Sequence, residues 1–273
     1  MTDIPIIEVK QLTVSYKDAL ILNDINFSVP AGEIFLIVGG SGSGKSTLMR
    51  QMIGLEKPSK GHVFIGATDI TQCSDNAFQN ALRKIGILFQ SSALIGSMTI
   101  GENVALPISE FTDLPQNAIA NMVRMKLSLV GLECYVDHLP SEISGGMRKR
   151  AGLARAMALN PQILFLDEPS AGLDPITAAE IDELIRHINL SLGTTMIIVT
   201  HELDSIFNLG HRLIMLEKSS KRIIADGSPY ELKTGSPSQM VRQFLSRRAG
   251  ETDSKVKHPG QKEQANEISN NKS

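Results

Sequence analysis

The stretch that decides the fold runs from Ile34 to Thr47, Ile34-Phe35-Leu36-Ile37-Val38 followed by GGSGSGKST from Gly39. The first five residues are apolar without a break, as expected of a strand covered on both faces. The next eight, Gly39 to Ser46, fit the spacing of a P-loop. Glycines let backbone N–H groups curl around phosphates, Lys45 is placed to reach the β and γ groups, and Ser46 is placed to bind magnesium. A helix carrying Leu48, Met49 and Met52 follows and adds its positive N-terminal end. Gly39, Gly40, Ser41, Gly42, Ser43, Gly44, Lys45, Ser46 and Thr47 therefore form a candidate nucleotide cradle. Strand before and helix after are the context a bare flexible glycine turn lacks.

Upstream, Ile25, Phe27 and Val29 alternate with Asn26 and Ser28, the pattern of a half-buried strand, and the chain opens as β structure. Downstream, short apolar strands are expected at Ile85 to Phe89, Ile163 to Leu166 and Met196 to Val199, with helical stretches between them. That rhythm predicts a mainly parallel sheet. Between Gln90 and Asn160 the pattern turns helical, with Thr99 and Glu102 at capping-box spacing and Ile119, Met122, Val123 and Val130 ahead of Gly131. A helical subdomain is expected to interrupt the core there. Asp174-Pro175 starts another helix, whose Ile181, Leu184, Ile185, Ile188 and Leu192 form one packing stripe closed by Gly193. From Gly250 the composition turns polar, and residues 250–273 read as a disordered tail.

Two adjacent carboxylates, Asp167 and Glu168, end the strand at Ile163 to Leu166. Seen alone, such a pair is a solvated turn; beside a P-loop it supplies one acid for a metal shell and another for water. Asp167 is the candidate for the metal, and Glu168 for the general base that deprotonates the attacking water. Ser144-Gly145-Gly146-Met147 stands just before a helical stretch from Arg148 to Leu159, so small residues expose a helix N-terminus able to meet a γ-phosphate.

The bulk numbers exclude more than they specify. A chain of 273 residues is long enough for one large α/β domain, and a net charge of -2 gives no electrostatic reason to expect nucleic acid. Only Cys73 and Cys134 are present, far apart and without companions at metal-ligand spacing, which reads as two reduced thiols in a reducing cytosol. No apolar run approaches the ~20 residues that span a bilayer, and Met1 to Lys10 lacks the pattern of a signal peptide. A membrane role is expected to come through partners.

The P-loop, Gln90, Ser144 to Met147, the carboxylate pair, Ser170-Ala171-Gly172-Leu173-Asp174 and His201 stand in the order that ABC ATPases use, and over roughly residues 6–235 the chain resembles that family. The resemblance implies an α/β fold: a P-loop NTPase (RecA-like) core with a mainly parallel sheet, an N-terminal antiparallel β subdomain and an inserted α-helical subdomain. The implied division is an ATPase domain over 1–249, with β structure and the first part of the core in 1–90, the helical subdomain in 91–159, and the rest of the core in 160–249. It also implies roles: Tyr16 stacks on adenine, Gln90 contacts magnesium and senses the γ-phosphate, and His201 is the switch histidine beside the product phosphate. Ser46, Gln90 and Asp167 would hold Mg2+; Lys45, Glu168 and His201 would carry the catalysis. Ser144, Gly145 and Gly146 would serve the ATP of a second copy of the chain.

The sequence departs from the common signature at Met147, where glutamine is usual, and at Ile143, where leucine is usual. The runs ISGGMRKRAGLARAMALNPQILFLDEPSAGLDP and FQSSALIGSMTIGENVALP resemble the subfamily that powers Mce-associated phospholipid transport, the Mla system. That implies transmembrane permease subunits, a small regulatory subunit, an Mce-type substrate-binding protein, and a place on the cytoplasmic side of the inner membrane. Arg148, Lys149 and Arg150 are read as a solvated face of the signature helix. Alternative readings keep the motor and change the cargo to amino acids, metal chelates or an exported compound. Others make the chain a soluble ATPase of ribosomes or DNA, or a catalytically dead adaptor.

Overall fold

The structure, a computed structural model, describes residues 4–17 and 19–246; the tail expected from Gly250 lies outside them. Strand β3 (Ile34–Gly39) is buried along its whole length, as its unbroken apolar run predicts. Parallel neighbours flank it on both sides: β8 (Thr195–Val199) and β9 (Arg212–Leu216). Outward from β8 lie β7 (Ile163–Asp167) and β6 (Ile85–Leu88), also parallel, and β10 (Ile223–Gly227) closes the other edge antiparallel to β9. The parallel register pairs Ile37 with Val199, Val199 with Asp167, and Leu88 with Leu166. The segments that leave β3, β6, β7 and β8 therefore emerge on one edge of the sheet, where open α/β sheets bind ligands.

Alternate residues of these strands feed two separate cores. Ile34, Leu36, Val38, Leu164, Leu166, Met196 and Ile198 face one cluster, and Phe35, Ile37, Ile163, Phe165, Ile197 and Val199 the other. The second face is covered by α1 (Lys45–Met52), through Leu48, Met49 and Met52, and by an antiparallel sheet. That sheet comprises β1 (Ile7–Tyr16), β2 (Ala19–Val29), β4 (Lys60–Ile65) and β5 (Thr68–Asp69), in the order β2-β1-β4-β5. A short helix, α2 (Asp75–Leu82), joins it to β6. The predicted alternation holds in β2: Ile25, Phe27 and Val29 are buried, Asn26 and Ser28 exposed.

The first face is covered by helices. Between β6 and β7 come α3 (Ile100–Phe111), α4 (Gln116–Leu129) and α5 (Gly145–Ala156). Thr99 accepts from the Glu102 N–H at 3.1 Å, and the Glu102 carboxylate accepts from the Thr99 N–H at 2.7 Å, completing the predicted capping box. After β7 comes α6 (Pro175–Leu192), capped by Asp174 and stopped by Gly193 at a φ of 66°. Its stripe is shorter than the sequence suggests: Ile181, Ile185 and Ile188 are buried, but Leu192 is 53% exposed. Helices α7 (Leu203–Leu209), α8 (Pro229–Gly235) and α9 (Gln239–Ser246) complete the described chain.

Candidate functional site

The loop from Gly39 to Gly44 turns β3 into α1 through left-handed backbone. Gly44 caps the helix at a φ of 98°, and a Cβ there would stand 2.7 Å from Leu22 Cδ2, so both the conformation and the packing require glycine. The Lys45 ammonium lies over the loop and donates to the carbonyls of Gly39 (2.9 Å) and Gly40 (3.2 Å). Burial pulls its pKa below the ordinary range, and the nearby carboxylates of Glu168 and Asp167 pull it back up. Ser46 is exposed at the first turn of α1, while the Ser43 hydroxyl is buried without a partner.

Across the sheet edge, Asp167 ends β7 and Glu168 follows in left-handed backbone at a φ of 49°. The Glu168 N–H donates to the Val199 carbonyl at 2.8 Å, which ties it to β8. Its carboxylate Oε1 is hydrogen-bonded to His201 Nδ1 at 2.7 Å. Glu168 Oε2 is buried with no partner, and so is Asp167 Oδ1. Burial and the charge of Glu168 push the Asp167 pKa up, against Lys45, Arg50 and Lys149.

Asp167 Oδ1, a hard oxygen left buried and unpaired, suits a divalent cation that prefers oxygen ligands. Among the described residues there is no group of three or more His, Cys, Asp or Glu side chains able to hold a metal alone. Any magnesium here would be completed by hydroxyl, amide and phosphate oxygens, and the donor set fits. Gln90 is exposed two residues beyond the end of β6, which stops at Leu88, one residue short of the expected strand.

Ser144 caps α5 by accepting from the Met147 N–H at 3.2 Å. Gly146 packs on α6 so closely that a Cβ would meet Thr177 Cγ2 at 2.5 Å. Tyr16, at the end of β1, has an exposed ring; its hydroxyl donates to Glu56 and interacts with Thr47 of α1, so it stands at the rim of the P-loop helix.

The basic run beside the signature corrects the sequence reading. Lys149 is buried, and its ammonium donates to the carbonyls of Gln90 (2.6 Å) and Glu168 (2.9 Å). Arg150 reaches Glu180 at 2.8 Å and Arg148 the Ile143 carbonyl at 2.7 Å. Six residues on, Arg155 donates to the carbonyls of Ser92 (2.8 Å) and Ala93 (2.7 Å). The helical phase carried the missed signal: Gly146, Lys149, Gly152, Leu153 and Ala156 share the buried side of α5.

Residues 22–171 match the ABC transporter family, a span from β2 through both glycine motifs and the carboxylate pair. The chain belongs to the ABC transporter family. The cassette is 38% identical over 258 residues, 94% of its length and 96% of the other's, to the intermembrane phospholipid transport system ATP-binding protein MlaF of Haemophilus influenzae. It is 42% identical over 242 residues to the probable ribonucleotide transport ATP-binding protein mkl of Mycobacterium leprae, covering 89% of the cassette and 69% of that protein. Among solved structures it resembles the dimeric post-hydrolysis state of the cassette MJ0796 bound to ADP and Pi, with a TM-score of 0.74 and 31% identity over 81% of this chain and 98% of that one. With the fold and these relatives in hand, the cassette is an ATP-binding, ATP-hydrolysing subunit of a membrane transporter. Among the described residues no helix is long and apolar enough to cross a membrane.

Proposed function

We propose that the cassette works as a pair of identical chains on the cytoplasmic side of the inner membrane, where it drives phospholipid transport that maintains outer-membrane lipid asymmetry. One observation carries the cargo: the match to the phospholipid-transport protein MlaF spans nearly the whole of both chains. The mkl and methionine-import relatives extend well beyond the aligned region, which is 69% and 64% of their lengths. Permease subunits, a small regulatory subunit and an Mce-type substrate-binding protein are the partners this reading requires.

In this reading the loop from Gly39 to Ser46 with Thr47 cradles the phosphates, Lys45 faces the β and γ groups, and Tyr16 stacks on adenine. Ser46, Gln90 and Asp167 hold magnesium, which when bound screens phosphate charge and polarises the γ-phosphate. Glu168 takes the proton of the attacking water at its free oxygen Oε2, while His201 fixes the other oxygen and turns the carboxylate. Ser144, Gly145 and Gly146 present the N-terminus of α5 to the γ-phosphate held by the other copy. Backbone donors of the loop, with Lys45 released from the carbonyls of Gly39 and Gly40, stabilise the charge of the transition state.

The cargo is tested by purifying the native complex from detergent-solubilised membranes and analysing its proteins and bound lipids by mass spectrometry. Recovery of an Mce-type protein with bound phospholipid supports the reading. Recovery of a nucleotide-binding protein instead defeats it in favour of the cargo named for the mkl relative, and recovery of an amino-acid-binding protein defeats it in favour of the cargo named for the methionine-import relative.

A further inference from the structure

The ammonium of Lys149 bridges the two catalytic loops from the signature helix. It is 6% exposed, and its two hydrogen bonds both go to main-chain carbonyls, those of Gln90 at 2.6 Å and Glu168 at 2.9 Å. The acidic side chains around it, Glu168, Asp167 and Glu202, act on it through space. A buried cation spent on carbonyls rather than on a carboxylate is costly, so the fold gains something specific from the arrangement.

That gain lies in the backbone it grips. Glu168 stands in left-handed conformation at a φ of 49°, a strained state for a non-glycine residue that persists only when its surroundings enforce it. Three groups hold its backbone: the Val199 carbonyl on its N–H, and the Lys149 ammonium (2.9 Å) and the Ala171 N–H (3.2 Å) on its carbonyl, of which Lys149 alone reaches in from α5. The loop after β6 is held the same way, since Ser92 and Ala93 have φ values of 62° and 48° and both their carbonyls are gripped by Arg155 of the same helix. A Cβ on Gly152, between the two cations, would come within 2.7 Å of Leu88 Cδ1 and 3.1 Å of Ser92 Cβ, so α5 lies directly on this loop.

We propose that Lys149 is a positioning residue for ATP hydrolysis, holding the Glu168 backbone in its strained conformation and fastening it, with the Gln90 turn, to the helix that carries the signature. The inference rests on Glu168 being the general base. Because the N-terminus of α5 serves the other copy's nucleotide while Lys149 serves its own site, contact at one site is conveyed along one rigid helix to the other.

The test compares turnover and ATP affinity for Lys149→Met and Lys149→Arg, each alone and with Glu168→Gln, in the assembled cassette. Lys149→Met is expected to lower kcat by about tenfold to a hundredfold, the scale of a misplaced catalytic group, with KM for ATP nearly unchanged. Lys149→Arg, which retains donors to both carbonyls, recovers part of the rate. In single-turnover measurements Lys149→Met costs less on top of Glu168→Gln than it costs alone, because the share of its effect that acts through the base is already gone. Normal kcat in a folded Lys149→Met protein overturns the proposal, and so does a fully additive loss on top of Glu168→Gln. Where Lys149→Met does not fold, Lys149→Gln gives the same reading, since its shorter amide spans only one of the two carbonyls and a normal kcat again overturns the idea. Normal turnover by Glu168→Gln alone instead sinks the assignment of the base.

Discussion

His201 Nδ1 and Glu168 Oε1 are hydrogen-bonded across 2.7 Å, while the other oxygen of the same carboxylate is buried and unpaired. The histidine is the exposed member of the pair, with 60% of its side chain open against 11% for the glutamate. One residue is thus held by the protein and the other is free to respond to what occupies the site.

That division predicts a split in kinetics. His201→Ala leaves the Glu168 carboxylate unoriented without removing it, so kcat should fall about tenfold to a thousandfold while the ATP concentration for half-saturation stays close to wild type. Steady-state phosphate release over an ATP series measures both. A raised KM with an unchanged kcat assigns His201 to binding instead.

Lys45 is bound to its own loop through Gly39 and Gly40 and faces two carboxylates. Lys45→Ala removes the ammonium that lies over Gly39 and Gly40 and is expected to abolish detectable nucleotide binding, read by fluorescence of a labelled ATP analogue. Retained binding with lost turnover places the lysine's contribution in the transition state alone.

A pH-dependent stability is built in at Asp182, whose carboxylate accepts from Ser205 at 2.7 Å while its second oxygen is buried without a partner. Burial raises its pKa from 3.8 to about 6. The folded state therefore binds the proton more tightly than the unfolded one, and the stabilisation is complete below 3.8 and lost as pH rises through about 6. The Tm of the wild type relative to Asp182→Asn should rise as pH is lowered from 7 towards 4.5. A constant difference across that range contradicts the shift.

The capping box on α3 offers a local stability test. Thr99→Ala removes the acceptor for the Glu102 N–H and should cost about 1 kcal/mol in chemical denaturation, with no change in the m-value. An effect within error would show that tertiary packing of Ile100 and Val104 holds the helix start unaided.

Much of the site was legible because its chemistry dictates residue types at fixed spacing. The P-loop, Asp167-Glu168 and His201 all fall on one edge of the sheet because β3, β7 and β8 are parallel and in register. The unbroken apolar runs gave those strands away. What escaped depends on distant partners: β4 begins Lys60-Gly61-His62, and it is a strand because it pairs with β1. Likewise β10 is a strip of mixed composition that exists through its pairing with β9. Lys149 escaped because three consecutive basic residues carry no phase of their own. Their neighbours at helical spacing, Gly146, Gly152 and Leu153, place Lys149 on the inward side.

The account stands on each active site being made by two chains. Its most direct test is the mass in solution of Glu168→Gln with magnesium and ATP, measured by light scattering beside the same protein without nucleotide. Slowed hydrolysis should trap a particle of twice the monomer mass holding two ATP molecules, and a bulky replacement, Ser144→Arg, should return it to the monomer. A Glu168→Gln protein that binds ATP fully and stays monomeric, in isolation and with its permease, contradicts the shared site.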